Sequence, residues 1–330
     1  MPHRYVYIWT DASGNFRSKV RYISDETPPN WNYDGSSTGQ ATTDDSEIEL
    51  VPLQTYTGGY VLCATYRQDG TATTENTYAA LLPGLKRVLA EKKVRVAFEQ
   101  EFFIYDERTR APLHYDAWHN KEQGAYYCSV GAGGNGFIEK HLAAIFDRAV
   151  ALGIQVTGYN LEVAPAQGEI QVDAPAIRAA HDLMMLRYLM WDTLGEHGLY
   201  PVFDPKPLGP DWNGSGLHTN ISTCDTMDPS GGLDAIHVML RAMGASHKDW
   251  MPLLGAGNEQ RLTGIHETSS YARFTWGVGS RSTSVRIPNS TYRDGRGYFE
   301  DRRPAANADP YVILCRYAWL LFTQQSPINV

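Results

Sequence analysis

The chain has 330 residues, 42% hydrophobic and 12% aromatic, enough for a sizeable core in one large domain or two smaller ones. Its net charge of −8 without any Lys/Arg run argues against a nucleic-acid face, and no apolar run approaches the roughly 20 residues of a membrane span. Four scattered cysteines (Cys63, Cys128, Cys224, Cys315) argue against a disulfide framework or zinc site, and the opening MPHRYVYIWTDASG lacks a leader's apolar stretch, so a cytoplasmic location is expected.

Up to about residue 66, strand-like runs at 5–10, 19–23, 47–51 and 60–65 alternate with turn signals such as Asp11-Ala-Ser-Gly14, Pro28-Pro29 and Gly58-Gly59. The polar stretch 67–75 reads as a linker. Residues 76–92 carry apolar side chains at helical spacing (Tyr78, Leu81, Leu82, Leu85, Val88, Leu89). The domain boundary is placed at 82, giving a small sheet-rich domain at 1–82 and a larger one at 83–330. In the larger domain, strands are expected at 94–105, 154–163, 169–173, 216–223 and 283–287, and helices at 137–152, 175–195, 231–251 and 310–324. The class is α+β with mainly antiparallel strands.

Acidic residues inside apolar segments are the main chemical signal. Glu99 and Glu101, in FEQEFFI, are two apart on a strand, so their side chains share a face. Neighbouring carboxylates repel one another unless a cation lies between them, and the alternative is the solvated face of an edge strand. In NLEVAPAQGEIQV a hairpin turning at Ala-Pro-Ala-Gln-Gly sets Glu162 opposite Glu169, again with like charges facing. NGSGLHTNIS puts His218, Asn220 and Ser222 on one strand face, after glycines that let a substrate approach the backbone. Glu300 and Arg302 are two apart in YFEDRRP, where a surface ion pair is the bland reading. Arg261, Arg281 and Arg286 fall in Gly- or Ser-rich stretches suited to gripping phosphate or carboxylate. An oxygen-rich ligand set favours Mg²⁺ or Mn²⁺ over zinc, and such a cation with arginines is the equipment of phosphoryl transfer.

These motifs resemble glutamine synthetases of the eukaryote type (class II). Segments from Tyr5 to about Cys315 match in family order, among them YIWTDASG, WNYDGSSTGQA, FEQEFF, GAYYCSVGA, NLEVAPAQGEIQ, DPKPLGPDWNGSGLHTNIS, GNEQRLTGIHETSS, FTWGVGSRSTSVRIP and GYFEDRRPAANADPY. The resemblance implies a β-grasp-like N-terminal domain and a catalytic domain with a curved antiparallel sheet flanked by helices. It implies ATP-dependent joining of ammonia to the γ-carboxylate of glutamate through γ-glutamyl phosphate. One metal would be held by Glu101, Glu162 and Glu169, the other by Glu99, His218 and Glu300. Asn213, Gly214, Arg261 and Arg302 would grip glutamate. Arg281 and Arg286 would meet the transferring phosphate, with Asn220 and Ser222 near the nucleotide. Asp34 would take a proton from ammonium, helped by Ser37 and Tyr127, and Glu267 would sit on a closing loop. The family forms double rings, here a decamer, in which Asp34 would serve the neighbouring subunit's site.

Three departures stand out. Gly168 replaces the family's usual aromatic, Ile265 precedes the His-Glu-Thr of the loop where a basic or aromatic residue is commoner, and the chain is shorter than the family's. The first two are expected near the glutamate and phosphate sites, which keeps open a same-fold ligase with a different amine or acid. A second enzyme class has one motif: Gly131-Ala-Gly-Gly-Asn-Gly136 fits GxGxxG after a strand-like YYCSV and before a helix. No acid ends a following strand at the required spacing. A binding protein with a dead site is the third class, opposed by the presence of all six metal ligands and Asp34.

Overall fold

The computed structural model describes residues 1–114, 124–131 and 134–325. They group into two compact units, 1–82 with 149–154, and 83–148 with 155–330. A linear division at 82 did not anticipate the 149–154 piece.

The first unit is a five-stranded sheet of β1 (His3–Thr10), β2 (Phe16–Ile23), β3 (Trp31–Asp34), β4 (Glu47–Tyr56) and β5 (Tyr60–Arg67), in the order β2-β1-β5-β4-β3. Only the β1–β5 pair is parallel. Alternate residues Tyr5, Tyr7 and Trp9 pack with Tyr33, Ile48, Leu50, Val61 and Cys63 into one apolar cluster. Gly59 is required where β4 turns into β5: its φ is +77°, and a Cβ there would lie 2.0 Å from the Arg4 carbonyl oxygen.

The second unit is a nine-stranded sheet with helices. In chain order it contains α1 (Pro83–Glu91), β6 (Arg95–Asp106), β7 (Ala111–Pro112), α2 (Gly136–Leu152), β8 (Val156–Leu161), β9 (Gln167–Pro175), α3 (Ala176–Gly195), β10 (Leu199–Val202) and β11 (Leu217–Ser222). Then come α4 (Gly232–Ala245), α5 (His247–Trp250), β12 (Trp276–Val278), β13 (Val285–Ile287), α6 (Asn289–Asp294), β14 (Phe299–Asp301) and α7 (Pro310–Gln325). The strand order is β12-β13-β14-β11-β6-β9-β8, with β7 and β10 also on β6. All pairs but β12–β13 are antiparallel.

Along β6, Phe98, Gln100, Phe102 and Ile104 are fully buried on one face, and Glu99 and Glu101 take the other, which ends in the buried Phe103. Gln100 is satisfied on its buried face by Arg187 of α3, whose Nε donates to Gln100 Oε1 at 2.7 Å. Arg187 Nη2 also donates to the carbonyls of Ala306 and Ala308 at 2.8 and 2.9 Å, fastening the segment after β14 to the sheet.

Several expected elements differ. The helix expected at 76–92 begins only at Pro83; the residue before a proline avoids the helical region, so 77–80 forms a separate short turn. The helix expected at 231–251 breaks at Ser246 into α4 and α5. The short strands β3, β10, β12 and β14 and helix α6 lacked a periodic signal. The strand-like YYCSV is a turn.

Candidate active site

Strand register assembles the acidic face. Glu99 of β6 stands opposite His218 of β11 and Gln171 of β9, and Glu101 stands opposite Glu169. One row over, Glu300 of β14 pairs with Asn220 of β11 and Arg286 of β13. Residues 200 positions apart in the chain thus share one face of a single sheet.

Glu99, His218 and Glu300 bring their ligand atoms within 4.8 Å of one another. His218 Nδ1 lies 3.2 Å from Glu99 Oε2 and 3.5 Å from Glu300 Oε1. Burial, with the charge of Arg302 next, holds the imidazole well below its ordinary pKa, so it is neutral and able to ligate. Asn220 Nδ2 donates to Glu99 Oε1 at 2.7 Å. Glu300 is fully buried between Arg302, whose Nη1 donates to Oε1 at 2.6 Å, and Arg286, which pairs with Oε2. The Glu300–Arg302 pair is therefore buried, which excludes the bland reading of a surface ion pair.

Glu101, Glu162 and Glu169 are all buried and do not converge as tightly among the described residues. Burial first, then the charge of Glu162, raises the Glu101 pKa. Burial raises Glu162, and burial followed by Glu99, Glu162 and Glu101 raises Glu169 well above its usual value. Three such carboxylates on one face are a strong electrostatic conflict that a divalent cation would remove. Each meanwhile accepts from an amide: Glu101 Oε2 from Gly216 N at 2.8 Å, Glu162 Oε1 from Asn160 Nδ2 at 2.8 Å, and Glu169 Oε1 from Gln171 Nε2 at 2.5 Å. Both acid sets fit hard divalent cations: one is all carboxylate, the other two carboxylates and a neutral imidazole. The hairpin register differs from expectation. Asn160, not Glu162, pairs with Glu169, because the turn is 163–166 and Glu162 sits beyond the strand with its N–H on the Gln167 carbonyl.

A small polar cleft opens on this face, lined by Glu101, Glu162 and His218 together with Asn213, Gly214, Arg261, Arg281 and Arg302. Gly214 lines the cavity and, with Gly216, also makes room for Arg261. A Cβ on Gly214 would meet Arg261 Cγ at 2.8 Å, and one on Gly216 would meet Arg261 Nη2 at 2.5 Å. Arg261 Nη2 in turn lies 3.1 Å from His218 Nε2 and donates to the Arg302 carbonyl at 3.1 Å. The loop at the cavity edge is strained: His266 and Glu267 both take positive φ, 51° and 63°. Glu267 Oε2 pairs with Arg281 Nη2 at 2.7 Å, and its carbonyl accepts from Arg302 Nη2 at 3.2 Å. Ile265 is exposed on the same loop.

Tyr127 is half-exposed; burial, then Cys128 and Glu162, raises its phenol pKa, and Arg281 lowers it, so its hydroxyl is within electrostatic reach of that cavity. Ser222 ends β11 on the face of His218 and Asn220. Asp34 and Ser37 belong to the first unit, on the exposed turn after β3. Ser36 donates to Asp34 from its hydroxyl at 2.6 Å and its N–H at 3.0 Å, which holds the carboxyl below its usual pKa and keeps it ionised.

Gly168 does not face the cavity. A Cβ on it would lie 2.5 Å from Leu142 Cδ2, so it sits on the opposite face of β9, where α2 approaches. Its absence of side chain answers to helix packing, and the substrate doubt attached to it falls away. Sequence reasoning missed Gln167, whose Nε2 donates to Glu101 Oε2 at 3.1 Å and to the Gly214 carbonyl at 3.0 Å, and His266 on the cavity wall. It also missed Asn160 and Gln171, although both alternate with the acids at strand period. Of the GxGxxG segment, Ala132 and Gly133 lie outside the described residues; among the described residues no strand leads directly into it, so that fingerprint lacks its context.

The family profile described as glutamine synthetase, catalytic domain, matches residues 85–230. The glutamine synthetase of Debaryomyces hansenii is 40% identical over 323 residues, covering 93% of this chain and 86% of the relative. A cytosolic isozyme of glutamine synthetase from Pinus sylvestris is 38% identical over 326 residues, covering 93% and 90%. A cryo-EM structure of Plasmodium falciparum glutamine synthetase shares the fold with a TM-score of 0.77 at 18% identity, covering 98% of this chain and 73% of that one.

Proposed function

The chain belongs to the glutamine synthetase family, and from that premise we propose how its own residues divide the work of the reaction. The protein is a glutamate–ammonia ligase that forms glutamine with ATP and a divalent cation. The observation that carries the residue assignment is a cavity where Glu101, Glu162 and His218 meet Arg261, Arg281 and Arg302.

The proposed cations are Mg²⁺ or Mn²⁺, one on Glu101, Glu162 and Glu169, the other on Glu99, His218 and Glu300. Held there with ATP, they would supply charge neutralisation for phosphoryl transfer to the glutamate side chain. Arg302, whose buried Nε has no hydrogen-bond partner, holds the glutamate carboxylate with Arg261, Asn213 and Gly214. Arg281 and Arg286 stabilise the transferring phosphoryl group; each is paired with a glutamate, Glu267 and Glu300, which keeps it aimed at the cavity edge. Asn220 and Ser222 contact the nucleotide. Asp34, ionised and exposed, takes the proton of ammonium with Ser37 and Tyr127 orienting it, since ammonium is no nucleophile until deprotonated. Glu267, on its strained loop, closes over the acyl phosphate and excludes water. The assembly is a homo-oligomer of two stacked rings, a decamer, with Asp34 serving a neighbour's site, in the cytoplasm as the pine relative's name has it.

Phosphate release from ATP tests the reading, with glutamate against other acids and ammonia against small alkylamines. Release should need glutamate and ammonia together. Faster release with an alkylamine would favour the same-fold ligase with a different acceptor, for which the exposed Ile265 is the remaining reason.

A further inference from the structure

The glycine-rich segment that failed as a dinucleotide motif has a different place in the fold. Asn135, within it, is fully buried, and its side chain is spent entirely on the turn that carries Glu162. Its Nδ2 reaches the carbonyl oxygens of Glu162 at 2.9 Å, Ala164 at 2.8 Å and Gln167 at 3.3 Å. Its Oδ1 accepts from Ala166 N at 2.9 Å. Ala166 has φ +58°, a left-handed conformation that is unfavourable for an alanine and persists only where its surroundings hold it.

The glycines around Asn135 make that reach possible. A Cβ on Gly134 would lie 2.1 Å from Ser129 Oγ, and one on Gly136 would lie 2.6 Å from the Gly131 carbonyl oxygen. Ser129 Oγ accepts from Asn135 N at 2.6 Å and donates to the Tyr126 carbonyl at 2.8 Å. Cys128 N donates to the Leu161 carbonyl at 3.0 Å. The turn bearing Tyr127 and the turn bearing Glu162 are therefore joined through the buried Asn135 and, beside it, by the Cys128–Leu161 hydrogen bond.

We propose that Asn135 is a positioning residue for the cation ligand Glu162, clamping the 162–167 turn so that the carboxylate meets those of Glu101 and Glu169. The inference rests on the reading of those three glutamates as one cation site. Without the amide, the carbonyls of Glu162, Ala164 and Gln167 and the N–H of Ala166 each lose a hydrogen bond, Ala166 leaves its left-handed conformation, and Glu162 loses its aim.

Mn²⁺ binding to the full chain, followed by the electron paramagnetic resonance of free Mn²⁺, separates this from a merely structural role. The wild type is expected to bind two ions per chain, and Glu162→Ala to lose one, which identifies that class. Asn135→Ala should weaken the same class by roughly 10–100-fold, leave the other unchanged, and recover turnover as Mn²⁺ is raised. Adding Ala166→Gly, which takes positive φ without strain, should restore part of the lost affinity. Asn135→Asp keeps the acceptor for Ala166 and removes the donors, and should shift the same class should the alanine variant not fold. A lowered melting temperature with both Mn²⁺ classes at wild-type affinity would overturn the proposal. Retention of both classes by Glu162→Ala would instead sink the ligand reading on which it stands.

Discussion

Single residues on the acidic sheet explain themselves by what they exclude. Gly168 is small because Leu142 of α2 presses on β9 from behind. Gly168→Ala should destabilise the protein by about 1–3 kcal/mol in urea unfolding, from overpacking. Leu142→Ala in the same chain should offset part of that loss, and the KM for glutamate should stay unchanged, because the side chain would point away from the cavity. A changed KM would return Gly168 to the substrate site. Glu162→Ala, by contrast, should abolish turnover with little effect on folding, and normal activity at low Mg²⁺ would refute its role. The acids themselves were legible: Glu99, Glu101, Glu162 and Glu169 are too many charges in apolar strands for a solvated surface. Asn135 was not legible, since an asparagine among glycines reads as a loop until the turn it holds is seen.

At the scale of elements, each strand of the site has a polar front and an apolar or neutralised back. Behind Glu300, Asp301 of β14 is fully buried and accepts from Arg303 at 2.8 Å on both oxygens and from Tyr317 of α7 at 2.6 Å. Its pKa is lowered although burial opposes this, because the fully buried Arg303 faces it. Asp301→Ala leaves that guanidinium without its anion and should cost about 3–5 kcal/mol in denaturant unfolding. A loss under 1 kcal/mol would show that the pair is dispensable. His181 joins α3 to α7 through a 2.7 Å contact with Tyr311. Burial, then the charges of Arg178 on its own helix and Lys86 on α1, lowers its pKa to about 4. The folded state thus binds its proton less tightly than the unfolded chain does, near 6.5. The contribution is complete above about pH 6.5 and is lost as pH falls toward 4, amounting to about 3 kcal/mol. The stability gap between wild type and His181→Phe should narrow over that window, and parallel curves would exclude His181 as the group. Helix starts were legible at Pro175 and Pro310, but were misread at Pro83 and where a polar residue such as Ser246 broke an apolar period.

For the whole molecule, the proposed chemistry draws on both units, since Asp34 lies in the first and every proposed cation ligand in the second. If Asp34 serves a neighbour, Asp34→Ala and Glu162→Ala chains that are each inactive should regain part of the activity when co-assembled, because some sites then combine two intact halves. No recovery in verified mixed oligomers would place Asp34 in its own chain's site. The division near 82 could be written from composition, because turn-rich strands give way there to longer periodic segments. The return of 149–154 to the first unit could not, because no local pattern records which distant residues a segment packs against.

The sequence by itself pointed to the class of chemistry: clustered acids, one strand histidine and arginines on glycine-rich loops together favour a hard cation and an anionic substrate. Strand period also placed Glu99 with Glu101, and His218 with Asn220 and Ser222, on common faces. Only the tertiary structure decided which acids meet, because register between strands more than 100 residues apart is set by the whole sheet. That register put Glu300 beside His218, moved Glu162 out of line with Glu169, turned Gly168 to the back of β9 and set Arg261 against the glycines before His218.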